Sequence, residues 1–381
     1  MRVLVIYESL VFHERLFCNL ARYADVDVLS NEPPKMELHG INKHIILPFD
    51  KNTRSWNRRF LRWFGTLPKT RGWCKRAITT LKEAYGGKTP QYDIVLSFMT
   101  SAQFNPLVAG LRLARHYGSK YGIYSVDALP PPGGWTKAKD LRGKTIAVKK
   151  HYCHADYVAA ANKHMLAYQL TIFTPKANLV TSTLLTSSPQ ESYSYPISSE
   201  NVLLYTGTLY GLRNPRYLFT AFKRILESRG DATLILIGNK LHINCIDEIL
   251  TPEQQKHVVV MPYADDLTSL YARAKVLIDI DADRDKDPFL SSKIATYIKV
   301  NRMIVCETGS DTPSREMFGG LRTIIQCNHS TDSLYDGLIR ALDMADTEQD
   351  YSERVKLIEM FDIESIGRIF YQDLQTVCKK R

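Results

Sequence analysis

Leu203-Leu204-Tyr205-Thr206-Gly207-Thr208-Leu209-Tyr210-Gly211-Leu212-Arg213-Asn214-Pro215 is a short apolar, β-rich run that stops at a glycine. Beyond the proline it passes into an amphipathic helix patterned on Leu218, Phe222 and Ile225. A glycine directly after a buried strand lets a ligand approach the main chain, and amides at the start of the following helix favour an anion such as phosphate. Arg213 adds a forked charge that is always present. A turn glycine followed by a solvated arginine would look the same, so this stretch alone does not decide between structure and function.

Outward from this stretch the same rhythm fills both halves of the chain. Short strands alternate with helical segments, the signature of βαβ units and parallel sheets. In the first half the pattern predicts strands at Val3–Tyr7, Val26–Leu29, Ile45–Pro48, Ile94–Phe98, Tyr121–Ser125 and Leu179–Thr181. Helices are expected at about 13–24, 55–65, 72–85, 103–117 and 137–168. After the Ser-, Pro- and Tyr-rich stretch 186–200, six further strands are expected, at Val202–Tyr205, Thr233–Ile237, Val258–Met261, Val276–Ile280, Met303–Cys306 and Thr323–Ile325. The expectation is two doubly wound, Rossmann-like α/β domains, 1–185 and 201–362, joined by the linker 186–200. A terminal helix within 363–381 would cross back to the first domain. Ligands of such sheets bind outside the C-terminal strand edges, which places the expected site in a cleft between the domains.

The second informative stretch is Asp287-Pro288-Phe289-Leu290-Ser291-Ser292-Lys293-Ile294-Ala295-Thr296-Tyr297. Here a Ser-Ser pair is expected to cap a helix over 290–299 whose first turn carries Lys293, gathering hydroxyls, amides and an ammonium around an anion. An ordinary capped helix with a surface lysine is the competing reading. The acidic run Asp279-Ile280-Asp281-Ala282-Asp283 begins inside a predicted strand and reads as a strand end and solvated turn, not as a metal site. No metal is expected.

Together the two stretches resemble the C-terminal domain of GT-B glycosyltransferases of the family 4 type, over most of 200–330. In that family a strand-Gly-x-Leu-x-x-x-Arg/Lys segment and a Pro-Ser-Lys-Leu-x-Glu-Tyr segment bind the donor sugar nucleotide. The resemblance implies that Gly207, Thr208, Arg213, Ser292 and Lys293 hold the donor diphosphate. It places Asp287 and Thr296 at the donor sugar, and Gly238, Asn239, Pro262 and Tyr263 at the nucleotide base. Thr296 stands where the family usually has a glutamate. The implied substrate is a UDP- or GDP-sugar, with no cofactor and retention of configuration. On the acceptor side, Asp127, after the strand Tyr121–Ser125, and His13, after the first strand, are the candidate bases.

The 381 residues carry a net charge of +10, and the excess is confined to one place. Between Lys51 and Lys82 there are ten Lys and Arg and no acid, together with Trp56, Trp63 and Trp73. Trp56, Phe60, Trp63, Phe64 and Leu67 recur at helical spacing, with Arg58, Arg59 and Arg62 largely off that stripe. The combination describes an amphipathic helix on an anionic membrane surface, with Trp56, Arg58, Arg59, Phe60, Arg62 and Trp63 as contacts. Packing of the stripe on the first domain is the competing reading. Single-stranded nucleic acid ranks last, because no module for it surrounds the segment, so no nucleic-acid partner is expected.

The N-terminus lacks a signal-peptide core, no apolar run reaches the ~20 residues of a membrane span, and the seven cysteines are scattered. A cytoplasmic protein, peripheral on the inner membrane face, is expected. It would move a hexosyl group from a nucleotide-diphosphate donor to a glycan or lipid-linked acceptor in cell-surface polysaccharide synthesis. A nucleotide-sugar epimerase of the same fold and a noncatalytic glycan- or polyanion-binding protein are the alternatives.

Overall fold

The structure, a computed structural model, describes residues 1–9, 14–34, 36–49, 51–185, 192–239, 241–347 and 350–379, excepting the side chains of 51–54. The chain forms two compact units, Met1–Ser187 with Phe361–Arg381, and Ser188–Met360.

The first unit is built on β1 (Arg2–Tyr7), β2 (Asp25–Ser30), β3 (Lys43–Ile46), β4 (Ile94–Met99), β5 (Lys120–Ser125), β6 (Tyr157–Ala160) and β7 (Val180–Thr183). They form one parallel sheet in the order β3-β2-β1-β4-β5-β6-β7. Side chains alternate across it as the strand period requires. Leu4 and Ile6 enter the core layer that contains Trp73, Leu107 and Tyr152, while Val3, Val5 and Tyr7 face the layer of Phe17 and Phe98. The helix Ile363–Lys379 closes that second layer with Ile366, Phe370, Leu374 and Val377, spaced for one helical face. It lies so close to the helix Glu14–Leu20 that a methyl on Gly367 would stand 1.7 Å from Asn19 Oδ1.

Sequence and structure part company over 137–168. The expected single helix is broken into helices Ala138–Tyr152 and Lys163–Leu170 by β6, which pairs with β5 on one side and β7 on the other. Tyr157-Val158-Ala159-Ala160 is buried on both faces, and its two alanines suit a helix as readily as a strand. A place inside the sheet overrides that local preference.

The second unit consists of β8 (Asn201–Thr206), β9 (Ala232–Ile237), β10 (Val258–Met261), β11 (Val276–Ile280), β12 (Met303–Glu307) and β13 (Ile324–Cys327), parallel in the order β10-β9-β8-β11-β12-β13. Its core joins Leu203, Tyr205 and Ile278 to Leu218, Phe222 and Ile225 of the helix Arg216–Arg229. The helix expected over 290–299 shrinks to Ile294–Tyr297. No side chain caps it, because Ser291 is turned inward to Asp279 and Ser292 is exposed.

In each sheet the strand order reverses between two neighbours, β1 and β4 in one and β8 and β11 in the other. Connections leave such a pair toward opposite faces and open a crevice at the C-terminal ends. The first crevice is flanked by the helix Lys51–Phe64, which crosses Ala138–Tyr152 at very close range. A methyl on Gly143 would stand 1.9 Å from the Leu61 carbonyl oxygen. Gly143→Ala is expected to force these helices apart and to cost about 1–3 kcal/mol. Gly72→Ala, in a helix with nothing within 4 Å of the added methyl, is expected to gain up to about 1 kcal/mol. Urea midpoints of the two variants check the contrast, and equal shifts would contradict the close crossing.

Candidate active site

At the C-terminal end of β8 the chain turns on Gly207, whose φ of 123° lies where residues with a side chain are strained. Its N–H donates to the Ile237 carbonyl at 2.7 Å, tying the end of β8 to the end of β9. Gly238 follows β9, and a methyl there would fall 1.7 Å from the Gly207 oxygen. The two glycines thus bring their loops into main-chain contact, and the Lys293 side chain lies across Gly207, with Cδ 3.1 Å from where a β-carbon would stand.

Lys293 is nearly withdrawn from water, with 12 % of its side chain exposed. Its ammonium pairs with Asp279 Oδ1 at 2.7 Å and stands 5.1 Å over the Tyr205 ring. Ser291 Oγ donates to the same carboxylate oxygen at 2.9 Å. Burial works against the ammonium, but Asp279 and Tyr205 outweigh it and hold Lys293 above the ordinary lysine value. Arg213 comes to the same place from the other segment. Its guanidinium lies 5.8 Å from the centre of the Tyr210 ring. Its charge opposes that of Lys293, and together they oppose the upward pull of burial on the Tyr205 phenol. Two cations 80 positions apart in sequence, 293 minus 213, therefore act on one ring at one strand end.

Tyr297 fixes this corner from below. Its hydroxyl accepts from the Thr206 N–H at 2.9 Å and bonds the Thr206 hydroxyl at 2.8 Å, which locks the short helix to the last residue of β8. Thr208 contributes its carbonyl, which accepts from the Tyr205 hydroxyl at 2.9 Å. Asp287 is buried and Thr296 half-buried. Gly238 N–H donates to the Met261 carbonyl at 3.2 Å and so joins the loop of Asn239 to the loop of Pro262 and Tyr263, all three of them exposed.

The acidic run is not a solvated turn. Asp279 and Asp281 are 1 % and 5 % exposed, because alternate residues at a strand end project to the same side. Burial, and then the charge of Asp279, push the Asp281 carboxyl up to about 7, with Thr308, Ser314 and Arg213 pulling it back. On the neighbouring strand Glu307 is buried against His329, Oε1 to Nδ1 at 2.9 Å. Burial raises the Glu307 carboxyl. The imidazole is held above its usual value, because Glu307 overcomes the effect of burial. Among the described residues, no three His, Cys, Asp or Glu side chains are grouped as metal ligands.

In the first unit the corresponding strand end carries Glu8, 5 % exposed, whose Oε1 accepts from Asn105 N–H at 3.1 Å and from Asn105 Nδ2 at 2.8 Å. Asp127, after β5, accepts from the Ser101 N–H at 2.7 Å, and Lys144 donates to the Ser101 carbonyl at 2.7 Å. A cavity of about 680 Å³ opens beside Glu8, Asn105 and Lys144. His13 lies outside the described residues.

No family model and no curated protein matches the chain. Solved structures do. HepE of Anabaena, in complex with UDP and glucose, superposes with a TM-score of 0.68 at 14 % identity over 98 % of this chain and 99 % of its own. A glycosyltransferase of Rickettsia africae reaches 0.69 at 11 % identity over 100 % and 99 %. The lipopolysaccharide outer core galactosyltransferase WaaB reaches 0.61 at 13 % identity over 98 % and 99 %. The fold is the GT-B fold.

On this fold, the buried or half-buried groups to which the sequence reading gave no site role are Glu8, Lys144, Asp281, Glu307 and His329. Three of them stand at the last residue of a strand or within one residue after it, at Glu8, Asp281 and Glu307. The rule that α/β sites collect at C-terminal strand ends would have singled these out. Lys144 sits mid-helix and His329 beyond β13, and nothing local marks either.

The Asp281 carboxyl carries a pH signature. Unfolded, it titrates near the ordinary ~3.9; folded, near 7. The native state therefore holds a proton that the unfolded chain releases, and stability falls as pH rises through that window. Asp281→Asn is expected to melt above the wild type at about pH 8 and to converge with it below about pH 4. A variant that melts lower at both pH values would contradict the assignment.

Proposed function

We propose that the protein is a glycosyltransferase that binds a UDP- or GDP-sugar at the β8–β11 edge and transfers the sugar to a glycan or lipid-linked acceptor. The observation that carries this reading is that the charges of Arg213 and Lys293 both act on Tyr205, with Lys293 lying across Gly207. Breaking a glycosyl–phosphate bond leaves growing negative charge on the diphosphate. Cations fixed beforehand in a dry site stabilise that charge without reorganising, each by about 3 kcal/mol if they match a typical oxyanion donor. Glycine at 207 and 238 lets two loops meet main chain to main chain beside Lys293, and Asn239, Pro262 and Tyr263 provide a neighbouring surface for the base. That HepE was solved with UDP supports a uridine donor. Asp287 and Thr296 are assigned to the donor sugar, and Ser292 and Thr208 to the phosphates. Asp127 is assigned as the acceptor-side base. Retention of configuration, transfer without a metal, and cell-surface polysaccharide as product complete the proposal.

The helix Lys51–Phe64 supports a peripheral position on the inner membrane face. Its Asn57 and Leu61 point inward, while Trp63, Phe64 and Trp56 are 70 %, 59 % and 49 % exposed. Trp56, Phe60 and Phe64 line up at 5.8 and 5.9 Å between ring centres, with the Arg59 guanidinium 5.9 Å from the Trp56 ring. Rings and a cation on one outer face suit an anionic lipid interface. Arg58 and Arg62, which the sequence pattern groups with these contacts, instead line the cavity, and Arg62 pairs with Asp140 at 2.5 Å.

Two measurements test these assignments. In calorimetry, Arg213→Ala and Lys293→Ala are each expected to weaken UDP roughly 10- to 100-fold, as for a lost hydrogen bond to a charged group, while uridine binding stays unchanged. UDP affinity that survives both substitutions would refute the donor site. In vesicle sedimentation, Trp63→Ala with Trp56→Ala is expected to release most of the protein from phosphatidylglycerol vesicles. Full retention would remove the membrane face.

A further inference from the structure

The cavity at the β1–β4 edge of the first unit has a charge that the donor reading does not use. Among the described residues its lining includes Arg58, Arg62, Lys137, Lys139 and Lys144 against two carboxylates, Glu8 and Asp140. Both carboxylates are engaged, Asp140 by Arg62 at 2.5 Å and Glu8 by two bonds from Asn105. Arg62 neutralises Asp140, whereas the neutral Asn105 leaves the Glu8 charge in place, so Arg58, Lys137, Lys139 and Lys144 against Glu8 leave an excess of three positive charges, five cations minus two carboxylates.

These cations stand on a prepared frame. Asn57, 1 % exposed, donates to Asn105 Oδ1 at 2.7 Å and to Thr70 Oγ1 at 3.0 Å, and accepts from the Lys69 N–H at 3.0 Å. Arg58, the next residue, is thereby held at the mouth on a helix already clamped at Gly143. Lys144 is half-buried, gives one of its three N–H donors to the Ser101 carbonyl at 2.7 Å, and stands 5.7 Å over the Phe104 ring. Burial lowers its pKa, against the pull of Asp140 and Asp127. An ammonium held partly dry gains more from an anion than one in open water does. Leu61, Leu67 and Phe104 add apolar wall, beside the polar Ser55, Asn57 and Asn105. The volume, about 680 Å³, is within the range of small-ligand sites and larger than a phosphate needs.

We propose that this cavity binds a phosphoryl group carried by the acceptor, with Arg58 and Lys144 as its principal contacts and Lys137 and Lys139 at the rim. The word acceptor rests on the transferase reading; the anion site itself does not. A phosphorylated sugar or a sugar on a diphosphate carrier has the required chemistry, its anion against the cations and its organic part against Leu61, Leu67 and Phe104. Asp127 does not line the cavity, but its charge acts on Lys144, and it accepts from the N–H of Ser101, whose carbonyl Lys144 bonds.

The test is calorimetric titration of inorganic pyrophosphate into the full-length protein saturated with UDP, so that the donor cations are occupied. One site is expected. Arg58→Gln, at an exposed position that tolerates substitution, and Lys144→Gln are each expected to weaken it at least tenfold. Arg71→Gln with Arg112→Gln, in a second basic groove on the helices Thr70–Ala84 and Asn105–Tyr117, is expected to leave it unchanged. Competition separates the source of the phosphate. Displacement by glucose 1-phosphate but not by phosphatidylglycerol vesicles supports an acceptor phosphate, whereas displacement by vesicles overturns it in favour of a lipid headgroup. No pyrophosphate site, or one indifferent to Arg58→Gln and Lys144→Gln, overturns the proposal outright. The titration repeated on Arg213→Ala without UDP keeps the two claims apart, since this cavity should still bind when the donor site cannot.

Discussion

A lysine ammonium is not withdrawn from water alone, and Lys293 is withdrawn with Asp279 at 2.7 Å. That pair organises the second unit's strand end. It fixes where Lys293 can lie, across a residue at 207 that has no side chain. It recruits Ser291 inward, which explains why the short helix after it has no side-chain cap. Beside it, burial first and then the charge of Asp279 make Asp281 hold its proton up to about 7. A positive group kept in place by a buried carboxylate is already oriented when an anion arrives, which is the condition electrostatic catalysis requires.

The two units apply one plan to different chemistry. Each reverses its strand order at a central pair, and each collects polar groups just beyond the C-terminal ends of that pair. In the second unit, Gly207 and Gly238 bring two loops into main-chain contact, with the Lys293 side chain laid across Gly207. In the first, the Glu8–Asn105–Asn57–Thr70 network braces a helix whose outer face carries exposed rings and whose inner edge carries Arg58 and Arg62. One segment, 51–64, thereby faces both a prospective membrane and a prospective ligand.

Much of this was legible in the sequence because parallel strands buried on both faces read as uninterrupted apolar runs. β8, β11 and the helix Arg216–Arg229 fall where Leu203–Pro215 and its neighbours place them. The strand β6 was hidden because Tyr157-Val158-Ala159-Ala160 carries no local sign of its sheet position. The acidic run 279–283 misled for a related reason: aspartates at a chain turn look solvated unless the partners that bury them, Lys293 and Ser291, are known. Convergence of Arg213 with Lys293 was suggested by spacing and family resemblance. The cationic character of the first-unit cavity was not, since Arg58 and Lys144 meet only through the crossing of two helices at Gly143.

The account stands on one arrangement, the guanidinium of Arg213 and the ammonium of Lys293 serving a single diphosphate. A crystal structure determined with UDP tests it most directly. The account predicts both groups within hydrogen-bond distance of the phosphates, with the Gly207 main chain beside them. Phosphates bound elsewhere in the chain, or held by only one of the two cations with the other still turned away, would contradict it.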